Sequence, residues 1–539
     1  MDYINIPKEK FRFADPDRRT GDKKFDTKPM SFAKDVFVRF CKNKSSVVAA
    51  CIIVLLVLFA IIVPMTCENY YTSGITTDKT TQQFQYLRPR NEWFVGTGFW
   101  DGGKTVSINV NEYNKLRALE AETGHVVITD MFRENYSDGR PGSTTTYYDL
   151  RLDTYTNLGI MFVDLTREQF EDMQRWQEES GIQLIYPAVN YKKQIDPNDP
   201  KKGYYIAERH HKSPDRATVW YQTDKNGYPL LDANGNFVNV YATTNEWTSS
   251  RYTDEKYYSY NSTRIEGDDG TYIYAEVGTA TVGGVETVSY SVRVDKYAYF
   301  QYRYGFEPSF LFGTNEKGHD ILTRLANGAR FSLVLAVCIS AVNLFIGAIY
   351  GAIEGFYGGV ADLVMERISD IIGGMPSMVV MSLFQLHLAK TVGPIWSMVF
   401  AFILTGWLGM AGRTRMQFYR FKRQEYVLSA RTLGASDRRL MFKHIFPNAI
   451  GTLITGSVLS IPGVIFSESS LTYLGIVNLE NSATTSVGTL LSNASGALTS
   501  HPHLILFPAL FISLLEISFN LFGNGLRDAF NPSLKGIED

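Results

Sequence analysis

Glu425-Tyr426-Val427-Leu428-Ser429-Ala430-Arg431-Thr432-Leu433-Gly434-Ala435-Ser436-Asp437-Arg438-Arg439-Leu440, continuing to His444-Ile445-Phe446-Pro447-Asn448, lies between two apolar runs. Residues 426–433 read as a short helix. Gly434 suits the left-handed residue that ends such a helix. Ser436 or Asp437 can cap a second helix running into the next apolar run. A short helix held crosswise at a membrane face can dock in the groove of a soluble protein. The surrounding stretch 413–443 carries nine Lys/Arg against two Asp/Glu, a local charge of +7.

Working outward, a bilayer core about 30 Å thick needs roughly 20 apolar residues per helix. Six stretches of the 539-residue chain meet this: Ser45–Cys67, Phe331–Ile353, Ile371–Ala389, Thr391–Gly412, Ile445–Ser467 and Leu504–Phe522, the last interrupted only by Glu516. The mean hydropathy of −0.11 averages these with a polar middle. Residues 1–44 net +5 and 45–350 net −8. Lys/Arg-rich short segments stay on the cytosolic side. Six crossings then place the N-terminus, the loop at 413–443 and the C-terminus inside, and residues 68–310 outside the cytoplasm. The segment 354–370, which nets −3, falls inside against the trend. Because the basic clusters flank apolar spans, the chain does not read as a nucleic-acid binder, nor as a soluble enzyme.

The block 68–310 holds 26 of the 32 tyrosines and is long enough for its own core. Thr166 with Gln169 reads as a capping box opening a helix with Phe170, Met173 and Trp176 on one face. Residues 111–122 read as a second helix. Residues 126–129, 271–277 and 287–304 read as strands. The expected fold of the block is α+β, with a turn at Asp232-Ala233-Asn234-Gly235 and no internal repeat. Cys41, Cys51, Cys67 and Cys338 read as small apolar residues rather than a disulfide framework.

The loop at 413–447 resembles the EAA loop of ABC-importer permeases, most closely the C-type permeases of oligopeptide/dipeptide transporters. Glu-Ala-Ala becomes Leu428-Ser429-Ala430, while Gly434 and Pro447 are kept. Further matches run in order: Phe312-Gly313-Thr314-Asn315-Glu316-Lys317-Gly318-His319-Asp320; Gly355-Phe356-Tyr357-Gly358-Gly359 with Asp362, Arg367 and Asp370; Glu468-Ser469-Ser470-Leu471-Thr472-Tyr473-Leu474-Gly475; and Gly523-Asn524-Gly525-Leu526-Arg527-Asp528. The resemblance implies an all-α six-helix type I importer permease fold; the α+β extracytoplasmic domain inserted between the first two spans departs from the family's pattern, in which a far shorter loop stands there. Its expected parts are a cytosolic segment 1–44, a first span 45–67, the insertion 68–310, a permease core 311–532 and a tail 533–539. It further implies a non-catalytic plasma-membrane subunit moving oligopeptides or dipeptides, or in a variant reading a nickel chelate or other small solute. The implied partners are a second homologous permease, two cytosolic ATPases that bind ATP and Mg²⁺, and an extracytoplasmic peptide-binding protein. No cofactor is implied for this chain. Leu428, Ser429, Ala430, Arg431, Ala435, Ser436, Asp437, Arg438, Arg439 and Pro447 would contact the ATPase or support the loop, with Gly434 as hinge. Glu468 and Glu516 are candidates for the translocation path.

Rival signals exist. Gly98-Phe99-Trp100-Asp101-Gly102-Gly103-Lys104-Thr105 satisfies GxxxxGK[ST], and residues 160–164 imitate a strand ending in a Mg²⁺-positioning Asp. That pattern defines an alternative, a membrane-anchored sensor domain. Against it, residues 106–110 look β-prone where a phosphate loop needs a helix. His210-His211 read as a solvated loop rather than a metal site. His501 and His503 share one face if they lie on a strand. Glu516 should face the bundle interior, and His387 the outer end of a span.

Overall fold

The computed structural model describes residues 32–66, 84–137, 146–186, 290–479 and 485–530, together with the backbone of strands between 189 and 289. Cys67, His210, His211, the turn at 232–235, residues 1–31 and the tail from 531 lie outside the described residues. Helix α1 (Phe32–Lys42) leads into α2 (Lys44–Thr66), the first span. After the inserted block come α6 (Ile321–Tyr357), α7 (Gly359–Gly373), α8 (Ser377–His387), α9 (Pro394–Gly406), α10 (Leu408–Phe421), α11 (Glu425–Thr432), α12 (Phe446–Val458), α13 (Ile461–Tyr473), α14 (Val487–Ala494) and α15 (His503–Phe530). Among the described residues, five continuous helical stretches are long and apolar enough to cross a membrane: Lys44–Thr66, Ile321–Tyr357, Pro394–Phe421, Asp437–Tyr473 and His503–Phe530.

The expected span at 371–389 differs. Its place is taken by α7 and α8, which meet at 72°. Gly374-Met375-Pro376 intervenes, and Pro376 takes the position preceding α8, where no helical N–H is required. A charge-free count registers composition and overlooks this break.

The membrane bundle closes around Ala60 of α2, Leu325, Ala329 and Ala336 of α6, Ile465 of α13, Val487 of α14 and Phe511 and Leu515 of α15. Helix α6 meets α10 through Gly347, Gly351 and Gly355, spaced one turn apart. A Cβ on Gly351 would lie 2.1 Å from the Ala411 carbonyl oxygen, and one on Gly347 2.7 Å from that of Trp407. Small residues at this spacing let two backbones touch where lipid gives no hydrophobic drive for association.

The inserted block contains β1 (Gly103–Asn109), α3 (Val110–Thr123), β2 (Ile128–Ser137) and β3 (Thr146–Asp153), then β4 (Ile160–Leu165), α4 (Arg167–Ser180) and β5 (Ile185–Tyr186). Short pieces follow: β6 (Val189–Asp196) with β7 (Asp199–Arg209), β8 (Trp220–Tyr221) with β9 (Asn239–Val240), then β10 (Thr263–Arg264) and β11 (Tyr272–Ile273). Finally β12 (Ala275–Val282) pairs with β13 (Val285–Asp295), and α5 (Lys296–Tyr304) ends the block. The capping box at Thr166/Gln169 is formed, and Phe170 and Met173 are buried with Trp176 packed beside them. The aromatic run 287–304, read as one strand, is a strand only to Asp295. The Asp295 carboxylate then accepts from Ala298 N–H, and Gly305 ends the helix in left-handed geometry. These two local caps outweigh the β-propensity of the tyrosines.

Within its described residues the block forms one β-α-β-β arrangement twice, a structural repeat with no counterpart evident in the sequence. Sheet order β1-β3-β2 recurs as β4-β13-β5, antiparallel throughout. Asn109 and Thr166 cap the two helices, and Gly124 and Gly181 end them. Glu120 Oε1 accepts from Val127 and Ile128 N–H (2.9 and 2.7 Å), and Gln177 Oε1 accepts from Leu184 and Ile185 N–H (2.8 Å each). Thr154 N–H donates to the Gly102 carbonyl and Lys296 N–H to that of Gly159, both at 3.1 Å. Tyr113 stacks on Tyr148, and Phe170 stacks on Tyr290.

Among the described residues, one junction between the block and the membrane bundle is built on Thr314. Leu87 N–H donates to Thr314 Oγ1 (2.8 Å), Thr314 N–H returns to the Leu87 carbonyl (3.0 Å), and Thr314 Oγ1 also donates to the Phe84 carbonyl. Arg90 N–H donates to the Phe310 carbonyl at 2.9 Å, so the chain entering the block pairs with the chain leaving it.

Candidate functional site

The stretch after α10 folds as its residues suggest. Helix α11 ends in a Schellman motif: Ala435 N–H donates to the Ala430 carbonyl and Gly434 N–H to that of Arg431, each at 3.0 Å. Gly434 has φ +84°, and nothing lies within 4 Å of where its Cβ would be. Ser436 takes the capping position before Asp437–Arg439, although its hydroxyl makes no capping bond. Pro447 has no N–H for the Lys443 carbonyl. The preceding turn, Leu440–Ile445, widens into a π-helix in which Phe446 N–H reaches Met441.

One face of this loop is buried. Val427, Leu440, Met441 and Ile445 pack on Ala352, Phe356 and Phe418, with Ala430 and Ala435 beside them. The small side chains at 430 and 435 let α11 lie close to the end of α6. The other face is open. Leu433 is 88% exposed, and Leu428, Ser429, Arg438 and Arg439 are also exposed. Arg431 sits over the Phe356 ring at 5.6 Å and 4.0 Å from Asp437. Asn448 Nδ2 donates to the His444 carbonyl (2.7 Å) and to Tyr426 Oη (3.3 Å). Burial raises the Tyr426 phenol above its usual value.

A second cluster escaped the sequence reading. Arg415 of α10 grips α7 through Asp362 (Nε–Oδ1 2.6 Å, Nη2–Oδ2 2.9 Å) and Glu366 (Nη1–Oε1 2.9 Å, Nη2–Oε2 3.0 Å), with Glu354 of α6 at 3.5 Å. Tyr419 Oη also donates to Asp362. Lys422 Nζ donates to the Gly355 carbonyl at 2.7 Å, capping the end of α6. Asp362 and Glu366 stand one turn apart, which is the only local signal for this clasp. The loop core thus abuts Phe356, and Phe356 adjoins the Gly358-Gly359 turn that opens α7.

The other candidates fall elsewhere. Glu468 is buried on α13 and accepts from Ser332 Oγ of α6 at 3.0 Å. Glu516 is half-buried on α15. His387 ends α8. His501 and His503 do not share a strand: His501 lies in a turn stacked on Tyr86, and the buried His503 begins α15. Desolvation lowers the His501 pKa. In the phosphate-loop look-alike, Gly103-Lys104-Thr105 opens strand β1, so no helix N-terminus faces the would-be phosphate cradle. Its supposed companion strand β4 belongs to a different sheet.

Residues 343–536 match the model of the binding-protein-dependent transport system inner membrane component, and residues 31–89 that of the N-terminal TM domain of oligopeptide transport permease C. The oligopeptide transport system permease protein OppC of Bacillus subtilis is 42% identical over 224 residues, covering 42% of this chain and 72% of that protein. The dipeptide transport system permease protein DppC of the same organism is 38% identical, covering 42% of this chain and 69% of its own length. OppC of Haemophilus influenzae is 37% identical, with 41% and 70% covered. A solved inward-facing MetNI methionine ABC transporter aligns over 38% of this chain and 96% of its own, at 12% identity and a TM-score of 0.29, too distant to carry an argument. The fold and these matches define a multi-pass membrane permease subunit of an ABC importer. Within that class, the chain belongs to the family of oligopeptide and dipeptide transport permeases. The two family matches leave residues 90–342 between them, which takes in both copies of the repeated arrangement.

Proposed function

We propose that this chain is one of two homologous membrane subunits of an importer that carries oligopeptides or dipeptides. The observation that carries the coupling role is α11: a short helix braced from behind by Phe356 and Phe418, ended by Gly434, with Leu428 and Leu433 open to solvent. A cytosolic ATPase, binding ATP and Mg²⁺ itself, would receive this helix in a groove. Leu428, Ser429, Arg431, Arg438 and Arg439 would form the contact, Ala430 and Ala435 the close packing beneath it, and Ser436, Asp437 and Pro447 the frame of the return helix. The expected topology stands as part of this reading: both termini and 413–447 cytosolic, 68–310 extracytoplasmic and facing a peptide-binding protein. An apolar groove of about 610 Å³ between α6 and α9, lined by Phe331, Val334, Cys338, Trp396 and Phe400, suits contact with the second permease. Glu468, held by Ser332, acts structurally in this reading, and Glu516 is the better candidate for lining the path.

Leu433→Asp tests the coupling role. The variant should insert normally, lose copurification with the ATPase subunits, and lose ATP-dependent peptide uptake. Retention of both would remove α11 from the contact.

A further inference from the structure

The stretch Trp93-Phe94-Val95-Gly96-Thr97-Gly98-Phe99-Trp100, part of which mimics a phosphate loop, has no charged residue between Glu92 and Asp101. Trp93 is 89% and Phe99 63% exposed, and Phe94 and Val95 are also open to solvent. Such a cluster is unusual on a surface facing only water. Its last residue faces the other way. Trp100 packs into the apolar cluster of the membrane bundle, stacking on Phe507 of α15 at 5.9 Å, while its indole N–H donates to the Leu311 carbonyl. Phe312 stacks on the same Phe507 ring at 4.0 Å. Phe507 lies about one turn inside the last span, so Trp100 marks the level of the bilayer edge.

The loop is held in this pose. Asp101 accepts from Gly98 N–H (3.0 Å) and Gly103 N–H (2.9 Å) and pairs with Arg151 at 2.7 Å. Trp100 itself takes φ +54°, a strained conformation for a bulky residue. Phe94, Phe99 and Trp100 form an edge-to-face aromatic series. Trp100 rests on Phe507 of α15, the helix that also carries the exposed apolar residues Leu506, Leu510, Leu514 and Ile517. Aromatic rings with a polar edge settle where headgroups meet acyl chains.

We propose that this loop is a membrane-interface finger: Trp93, Phe94, Val95 and Phe99 enter the leaflet on the side of the inserted block and seat that block on the lipid surface. The proposal depends neither on the transported solute nor on which side of the membrane the block occupies.

The test uses the full chain in liposomes, with its four cysteines replaced by alanine and an environment-sensitive fluorophore placed at Trp93→Cys, Phe99→Cys or the exposed α4 position Glu168→Cys. With brominated phosphatidylcholine, emission at 93 and 99 should be blue-shifted and quenched several-fold more than at 168. Quenching equal to that at 168 would overturn the proposal. So would emission that is blue-shifted without lipid quenching, or only after a second permease or a binding protein is added, because protein would then be the occupant. Agreement between positions 93 and 99 guards against a local effect of either substitution.

Discussion

Arg415 closes on Asp362 with two parallel hydrogen bonds, although 53 residues separate them in the chain. The same guanidinium holds Glu366, so one side chain of α10 fixes two turns of α7. Removing it leaves Asp362, Glu366 and the buried Glu354 facing one another. Because Arg415 is only partly exposed, Arg415→Gln should destabilise the protein by about 1–3 kcal/mol, less than the loss of a fully buried pair. Arg415→Lys should rescue little, since an ammonium cannot grip two carboxylates bidentately. Thermal unfolding of the solubilised protein measures the first effect. If α7 follows the motion of the 413–447 loop, ATP-driven uptake should fall further than stability alone predicts. Uptake in proportion to folded protein would confine the clasp to a structural role.

Gly434 offers a cleaner separation. Space around it is empty, so any substitution cost there is conformational. Gly434→Val places a β-branched residue at positive φ, which costs roughly 1–2 kcal/mol. Gly434→Asn should be far milder, because Asn tolerates the left-handed region. The expected order of uptake is wild type, Asn, then Val, with equal amounts of inserted protein. Uptake by the Val variant equal to that of wild type would sink the hinge role.

His125 Nε2 lies 3.0 Å from Asp295 Oδ2, across the two copies of the repeat. The hydrogen bond to Asp295 raises the His125 pKa above 6.5 against a smaller opposing effect of burial. With the folded pKa above the unfolded one, the stabilisation is fully present below about pH 6.5 and is lost as pH rises through the folded value. Thermal unfolding followed from pH 6 to 9 should therefore show the inserted block weakening through that window. His125→Gln should flatten the slope, and an unchanged slope would assign it to another group.

The parts of this molecule legible in the sequence are those with local causes. Helix α11, its Gly434 terminus and the Thr166/Gln169 box each depend on residues within one or two turns. The helix at 296–304 was obscured because its tyrosines favour strands, while the decisive groups, Asp295 and Gly305, stand at its ends. The structural repeat was obscured for a different reason. Asn109 and Thr166, or Glu120 and Gln177, share hydrogen-bonding roles without sharing identity. The long excursion between β5 and β13 also separates in the second unit what β2 and β3 hold close in the first. The Arg415 clasp has no periodic signature, since it joins helices that fold back on one another. The bend between α7 and α8 depends on a Gly-Gly and a proline inside a stretch whose composition alone suits a membrane.

Thr314 governs how the inserted block meets the bundle. Its side chain is fully buried, and its hydroxyl both accepts from Leu87 N–H and donates to the Phe84 carbonyl. Thr314→Val keeps the shape and orphans both backbone groups, at about 1–3 kcal/mol for each one left unsatisfied. Thr314→Ser retains the hydroxyl and loses only a methyl, so it should cost far less. The effect should be local, because the packing of α6 against α10 through Gly351 is untouched. Limited proteolysis of the Thr314→Val protein in membranes should then cut at 84–91 or 305–315 faster than wild type, while the permease core remains intact. Equal cleavage rates in the Val, Ser and wild-type proteins would show that the Leu87–Thr314 pairing is not what holds the block in place.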